Sequence, residues 1–226
     1  MSGTEPSRSA CVNCYPEPWR GDGEFSVDEH AVDLTAFIRQ IASEPVHLIG
    51  HSRGATVSLY AARLAPDLIR TLTLAEGGDG MQAFAPEEPG LRDLRDRVVQ
   101  TVTPILASGD VDGALAPYLE FANGPGSWEK LPPSVKQWFR DNAWTLAAGW
   151  RYAPSAFSCA DASALDMPAL LLRGDSSPPL FGAILDRLGP CLSRAERAVI
   201  SNSSHGMSRT NPAEFNATVM GFMSRH

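Results

Sequence analysis

The stretch Val46-His47-Leu48-Ile49-Gly50-His51-Ser52-Arg53-Gly54-Ala55 decides the fold of this 226-residue chain. An apolar-leaning strand runs into Gly-x-Ser-x-Gly, and a helical pattern begins at once. This strand–turn–helix context is typical of a nucleophile elbow, in which the serine lies at the apex of a sharp turn. We expect glycine to be required at positions 50 and 54, because a Cβ atom at either position would collide where the strand and the helix approach each other. The stretch therefore predicts Ser52 as a nucleophile above the end of a sheet.

The residue after the serine has a predicted role of its own. The backbone N–H of Arg53 lies at a helix N-terminus, where it can stabilise a developing oxyanion. The alternative is a chance Gly-x-Ser-x-Gly in a surface turn, because such short motifs have false positives. The strand before the motif and the helix after it favour the elbow. His51 is expected to have a supporting role in packing.

Composition excludes several classes of partner. The net charge is −7, with 43% hydrophobic and 20% charged residues, and no basic run occurs, which argues against binding to nucleic acid or to an anionic membrane. No apolar run approaches the length of a membrane span, and the polar N-terminus lacks the apolar core of a signal peptide. We expect a single cytoplasmic domain over residues 1–226.

The cysteines give a weak signal for a metal or redox site. Cys11 and Cys14 form C-x-x-C, which can be half of a zinc site or a redox pair. No second C-x-x-C or C-x-x-H follows, so the pattern favours free thiols in an irregular tail over residues 1–24. No metal ligand is predicted.

Hydrophobic periodicity divides the rest of the chain into a core and an insertion. Residues 25–79 and 167–226 alternate strands with helices, and residues 80–166 have helical spacing without a strand pattern. The insertion is expected to be an all-helical cap, and it holds four of the five tryptophans: Trp128, Trp138, Trp144 and Trp150. They indicate either an aromatic lid over an apolar substrate pocket or packing of cap helices against each other. The predicted strands are 46–49, 71–75, 169–173 and 198–201.

Three chemistry-bearing residues follow predicted strands. The alternation of strands and helices predicts a parallel sheet, which binds ligands beyond the carboxyl ends of its strands. Ser52, Asp175 and His205 all fall at that edge. A serine hydroxyl needs a neighbouring base, here His205, and a carboxylate such as Asp175 fixes the imidazole tautomer. Glu76 and Asp79, after the second strand, are competing candidates for that carboxylate.

From about Phe25 to the end, the chain resembles the α/β-hydrolase superfamily of cap-bearing serine hydrolases. The segments 50–54, 171–175 and 204–207 stand where that family places its triad, and the insertion stands where it places its cap. The resemblance implies an α/β fold with a mostly parallel sheet and flanking helices, and a reaction without metal or organic cofactor. A serine nucleophile also disfavours the epoxide and haloalkane chemistry of relatives that use a carboxylate.

The resemblance also implies strands that this sequence does not show. Family members usually open with three or four strands before the helix that begins at Ser26, and the loop after one of them donates a second oxyanion N–H. Here a polar tail precedes Ser26. The elbow strand is therefore expected to form an exposed edge, through which the chain could form a homo-oligomer.

Two functions follow as hypotheses. The first is a serine hydrolase that cleaves a small or medium, partly apolar ester or related acyl compound through an acyl-enzyme. The second, motivated by the absent strands, is an N-terminally truncated and catalytically impaired hydrolase-like protein that binds a ligand or a partner.

Overall fold

A four-stranded parallel sheet forms the centre of the protein. The computed structural model describes residues 25–78, 84 and 93–226. Its strands lie in the order β1-β2-β3-β4, and each neighbouring pair is parallel. The predicted fold class, a parallel sheet with flanking helices, is confirmed. The strands are β1 (Val46–His51), β2 (Ile69–Ala75), β3 (Ala169–Gly174) and β4 (Ala195–Ile200).

Helices connect the strands as the crossovers of parallel strands require. The helices of the core are α1 (Val27–Ile41), α2 (Arg53–Leu64), α8 (Pro179–Leu188), α9 (Met207–Thr210) and α10 (Pro212–Met223). The helices between β2 and β3, called the cap helices below, are α3 (Leu94–Ala107), α4 (Val111–Asn123), α5 (Pro133–Asn142), α6 (Trp144–Arg151) and α7 (Cys159–Ser163). Single turns of 3-10 helix lie at Pro66–Leu68 and Gly189–Cys191. Within the described ranges, no helix is both long and apolar enough to span a membrane.

Strand β3 is covered on both faces. Leu171 packs into a cluster with α1, α2 and α8, while Leu170 and Leu172 pack into a second cluster with α10. Successive side chains of a strand point to opposite faces, so the uninterrupted apolar run 169–172 fits a sheet covered on both sides. Ser26 caps the first helix, since its hydroxyl accepts a hydrogen bond from the Glu29 N–H at 3.1 Å.

Strand β1 lies at one edge of the sheet that the described residues form. Ile49 on this strand is 45% exposed, and Ile41 on the adjacent helix α1 is exposed as well. This edge is the one at which the sequence predicts homo-oligomer formation, and that association stays a prediction.

A disulfide joins the last cap helix to the core. Cys159 at the start of α7 is bonded to Cys191 in the turn after α8. The sequence pattern does not predict this pair, because connectivity cannot be deduced from spacing alone. Cys11 and Cys14, the C-x-x-C pair, lie outside the described residues.

Candidate active site

Unusual backbone conformations concentrate at the carboxyl edge of the sheet. The described non-glycine residues with positive φ are Ser52 at 56°, Glu76 at 48° and Asn202 at 51°. Each lies directly after a strand or within two residues of its end, on β1, β2 and β4 respectively. Positive φ costs free energy for side-chain-bearing residues, so such residues cluster at functional sites. The sheet edge predicted to bind a ligand is therefore also where the backbone is strained.

Ser52 forms the turn between β1 and α2. Its backbone has φ 56° and ψ −127°, and Arg53 is the first residue of the helix. The Ser52 N–H donates a hydrogen bond to the carbonyl oxygen of Ala75 at 2.9 Å, and its own carbonyl accepts from the Ala55 N–H at 3.0 Å. The turn is thus tied to β2 on one side and to the first turn of α2 on the other.

The two glycines of the motif differ in what they permit. A Cβ on Gly50 would lie 2.6 Å from Ala55 Cα and 2.5 Å from Ser58 Oγ, and it would also collide with the carbonyl oxygen of Gly54. A Cβ on Gly54 would meet nothing within 4 Å. The prediction that both glycines prevent a collision is therefore right for Gly50 and wrong for Gly54, because a Cβ at position 54 would occupy open space.

His205 is held by Glu76. Its Nδ1 lies 2.8 Å from Glu76 Oε2, and the other carboxylate oxygen accepts a hydrogen bond from the Gly174 N–H, also at 2.8 Å. Glu76 is 0% exposed and His205 is 8% exposed. Both oxygens of a fully buried carboxylate are therefore satisfied, one by the backbone of β3 and one by the imidazole. This arrangement fixes the ring and the nitrogen that carries its proton.

Asp175 does not take the place that the sequence predicts for it. Its carboxylate accepts hydrogen bonds from the Asn202 N–H at 2.8 Å, the Ser203 N–H at 3.0 Å and the Ser176 hydroxyl at 2.9 Å. The two backbone N–H groups hold the pKa of Asp175 below its ordinary value. The predicted pairing of Asp175 with His205 is thus corrected: Asp175 fastens the loop that leads to His205, and Glu76 contacts the ring.

The competing acid Asp79 lies outside the described residues. Glu76 and Asp175 follow β2 and β3, which are neighbours in the sheet. The two side chains differ in solvent exposure, since Glu76 is buried and Asp175 is exposed. An exposed carboxylate at this edge reaches the loop backbone, whereas a buried one reaches the imidazole.

Two aromatic rings enclose the His205 imidazole. The Phe181 ring stacks on it with centroids 4.3 Å apart and an interplanar angle of 14°, and the His51 ring lies 4.6 Å away. His51 also donates a hydrogen bond from Nε2 to the carbonyl oxygen of His205 at 2.7 Å. The sequence indicates packing for His51, and the structure adds this bond to the backbone of His205.

Burial keeps His51 neutral. Desolvation, followed by the nearby His205, lowers the pKa of His51 from 6.5 to about 4; Glu76 acts in the opposite direction, and Arg209 in the same one. Because the unfolded chain binds a proton at His51 below about pH 6.5 and the folded chain does not, the free energy of unfolding must fall as the pH drops from about 6.5 towards 4. The contribution of this residue reaches up to about 3 kcal/mol.

We expect His51→Gln to remove this part of the pH dependence, since glutamine keeps an N–H donor and does not titrate. The measurement is the free energy of unfolding by urea between pH 4 and pH 7. His47→Gln, on the same strand, is the matched control. Burial also lowers the pKa of His30. Its contribution to the pH dependence of unfolding has the same sign and is present in the wild type and in both variants. An unchanged pH dependence in His51→Gln would contradict the assignment.

Ser52 and His205 line the same cavity of about 380 Å³. Its wall is mainly apolar, as is usual for small-molecule sites, and the cap helices and α8 both contribute to it. Arg53, Arg95 and Asp96 are the charged residues among the lining positions in the described part of the chain. The apolar wall includes Val98, Tyr118, Phe121, Trp150, Leu180 and Phe181.

The four tryptophans of the cap have different environments. Trp150 lines the cavity. Trp128 is buried among Leu115 and its neighbours inside the cap, while Trp138 is half exposed. Trp144 stacks edge-on against Phe25 of the core, with ring centroids 5.4 Å apart. The lid interpretation therefore fits Trp150, and packing accounts for Trp128 and Trp144.

No group of three or more His, Cys, Asp or Glu side chains in the described ranges is arranged to hold a metal ion. The cavity wall carries the side chains of Ser52 and His205, and Glu76 lies behind the His205 ring.

Comparison with known proteins agrees with this architecture. Residues 6–218 match the sequence model of an alpha/beta hydrolase family. A triacylglycerol lipase from Pseudomonas fragi is 38% identical over 56 residues, which are 25% of this chain and 19% of the lipase. The matched segment thus spans about a fifth of that relative's length.

Solved structures show the same fold at low identity. Carboxylesterase CesB from Bacillus subtilis superposes with a TM-score of 0.64 and 16% identity, over 89% of this chain and 67% of the esterase. MenH from S. aureus superposes with a TM-score of 0.69 and 16% identity, over 92% of this chain and 79% of that protein. Because the family model covers nearly the whole chain, this protein belongs to the alpha/beta hydrolase family.

Proposed function

We propose that this protein is a serine hydrolase that cleaves a small or medium, partly apolar ester or a related acyl compound. The observation that carries the proposal is a strained serine and a carboxylate-bound histidine on the wall of one apolar cavity. The family of the chain and its similarity to a lipase and to a carboxylesterase support a hydrolase acting on esters.

In the proposed mechanism, Ser52 attacks the carbonyl carbon of the ester. His205 takes the hydroxyl proton on Nε2, since Nδ1 is held by Glu76. Glu76 then stabilises the imidazolium that forms. The proton stays on His205 until it is transferred to the oxygen of the leaving alcohol.

The remaining steps release both products. The tetrahedral oxyanion would be stabilised by the backbone N–H of Arg53, at the start of α2. Collapse expels the alcohol, which takes the proton from His205, and leaves Ser52 acylated. A water molecule, deprotonated by the same histidine, then attacks the acyl carbon. The bond between that carbon and Ser52 Oγ breaks, Ser52 takes the proton back from His205, and the free acid is released.

The cavity supports the substrate class. At about 380 Å³ it accommodates a small or medium acyl group, and its aliphatic and aromatic wall favours an apolar one. The positions Arg53, Arg95 and Asp96 add polarity at the same wall, which fits a substrate that is only partly apolar.

A fluorophosphonate probe tests the proposal without knowledge of the substrate. The probe phosphonylates an activated serine, with loss of fluoride, and we expect stoichiometric labelling that mass spectrometry maps to Ser52. Ser52→Ala is the control for specificity, and heat-denatured protein is the control for activation by the fold. A folded sample that stays unlabelled, or a label on another serine, would contradict the proposal.

A further inference from the structure

We propose that Asn123, the last residue of cap helix α4, is a positioning residue that fixes the His205 loop to the cap. This inference rests on the proposed function, because it assigns a role to Asn123 in presenting the catalytic base. Sequence reasoning does not find Asn123, since a single asparagine at a helix end is usually a local cap.

The amide oxygen of Asn123 binds both residues that flank His205. Oδ1 accepts a hydrogen bond from the Gly206 N–H at 2.9 Å and from the Ser204 hydroxyl at 3.2 Å. A Cβ on Gly206 would lie 3.1 Å from this oxygen, so glycine allows the close approach. The amide nitrogen of Asn123 donates to the carbonyl oxygen of Leu119 at 3.3 Å, which orients the side chain on its own helix.

These bonds add to the hydrogen bonds that hold His205 from the sheet. Glu76 holds the ring nitrogen, His51 holds the carbonyl oxygen of the residue, and Asn123 holds the loop on either side of it. Glu76 and His51 follow or belong to strands of the sheet, whereas Asn123 comes from the cap helices. Asn123 therefore links a cap helix directly to the loop that carries His205.

The same turn of α4 reaches His205 by a second route. Phe121 lines the cavity and contacts Phe181, with ring centroids 6.1 Å apart, and Phe181 stacks on His205. An acyl group bound in this cavity would contact Phe121, on the helical turn that carries Asn123.

The test compares Asn123→Ala with Asn123→Asp and with Asn142→Ala. Aspartate keeps an oxygen acceptor for both donors. Asn142 is the matched control, because it also ends a cap helix and donates to the carbonyl four residues earlier, Trp138, at 2.8 Å. Hydrolysis of p-nitrophenyl butyrate, fluorophosphonate labelling and amide exchange at Gly206 are measured in all three variants and in the wild type.

We expect Asn123→Ala to lower kcat and the labelling rate by about 10- to 100-fold, since a small displacement of a catalytic group is costly, with KM changed less than about threefold. Asn123→Asp should restore most of the rate, and Asn142→Ala should match the wild type. Exchange at the Gly206 amide should accelerate in Asn123→Ala only.

The outcomes separate this inference from the proposed function. If the wild type is active and Asn123→Ala has the same turnover, the role of Asn123 is overturned and the hydrolase proposal stands. An inert wild type would overturn the hydrolase proposal. In that case unchanged Gly206 exchange in Asn123→Ala would overturn the tether as well, and accelerated exchange would support it.

Discussion

Glu76→Gln should lower kcat for ester hydrolysis by about 10⁴-fold, while Asp175→Asn should cost less than about tenfold. Glutamine can still accept the Gly174 N–H through its oxygen, so the buried site keeps one of its two bonds. Its amide nitrogen then faces His205 Nδ1, where the carboxylate oxygen now lies at 2.8 Å. An amide donor at this place favours the tautomer with the proton on Nε2, which can no longer accept the proton of Ser52.

Asp175→Asn acts on a different part of the site. One oxygen remains to accept from the loop at Asn202 or Ser203, and the ring of His205 keeps its carboxylate. We expect a modest loss of stability, because the contacts between this side chain and the loop are weakened. The measurements are kcat and KM for p-nitrophenyl butyrate, with thermal unfolding to show that both variants fold. The reverse ranking of the two variants would show that Asp175 is the acid of the working enzyme.

This pair of residues also shows where sequence reasoning reaches its limit. Both acids follow neighbouring parallel strands, and the sequence pattern places both at the carboxyl edge of the sheet. What separates them is the depth of the side chain, together with the positive φ of Glu76, and neither is encoded in residue spacing. The strand order and the hydrophobic pattern locate the carboxyl edge of the sheet. The backbone conformation of the turn after each strand decides which carboxylate reaches the imidazole.

The larger features of the fold follow from the sequence more directly. The run 169–172 has no polar interruption, and only a strand covered on both faces buries every residue of such a run. The element β4 begins at Ala195, three residues before the predicted strand. The sequence pattern does not indicate this start, because Glu196 and Arg197 are polar and exposed and give no apolar signal. The role proposed for Asn123 has no sequence signature, since its two partners in the His205 loop are more than 80 residues away in the chain.

Gly50→Ala should destabilise the protein by at least about 3 kcal/mol and abolish labelling at Ser52. The new methyl carbon would collide with the carbonyl oxygen of Gly54 and lie 2.6 Å from Ala55 Cα, both of them backbone atoms that cannot rotate away. Strand β1 and helix α2 must then separate, and the turn between them carries the nucleophile. A shift of about 1 Å in a reacting group is enough to cost two orders of magnitude in rate.

Gly54→Ala is the matched control, and it should have the opposite sign. Nothing lies within 4 Å of a Cβ at this position, Gly54 has no positive φ, and it is the second residue of α2. Alanine there restricts the unfolded chain and favours the helix, so we expect a gain of about 0.4 to 1 kcal/mol with labelling retained. Urea unfolding of the two variants measures the difference. Equal effects at both positions would contradict the steric role assigned to Gly50, whereas opposite effects would support the requirement for close approach of strand and helix at that position.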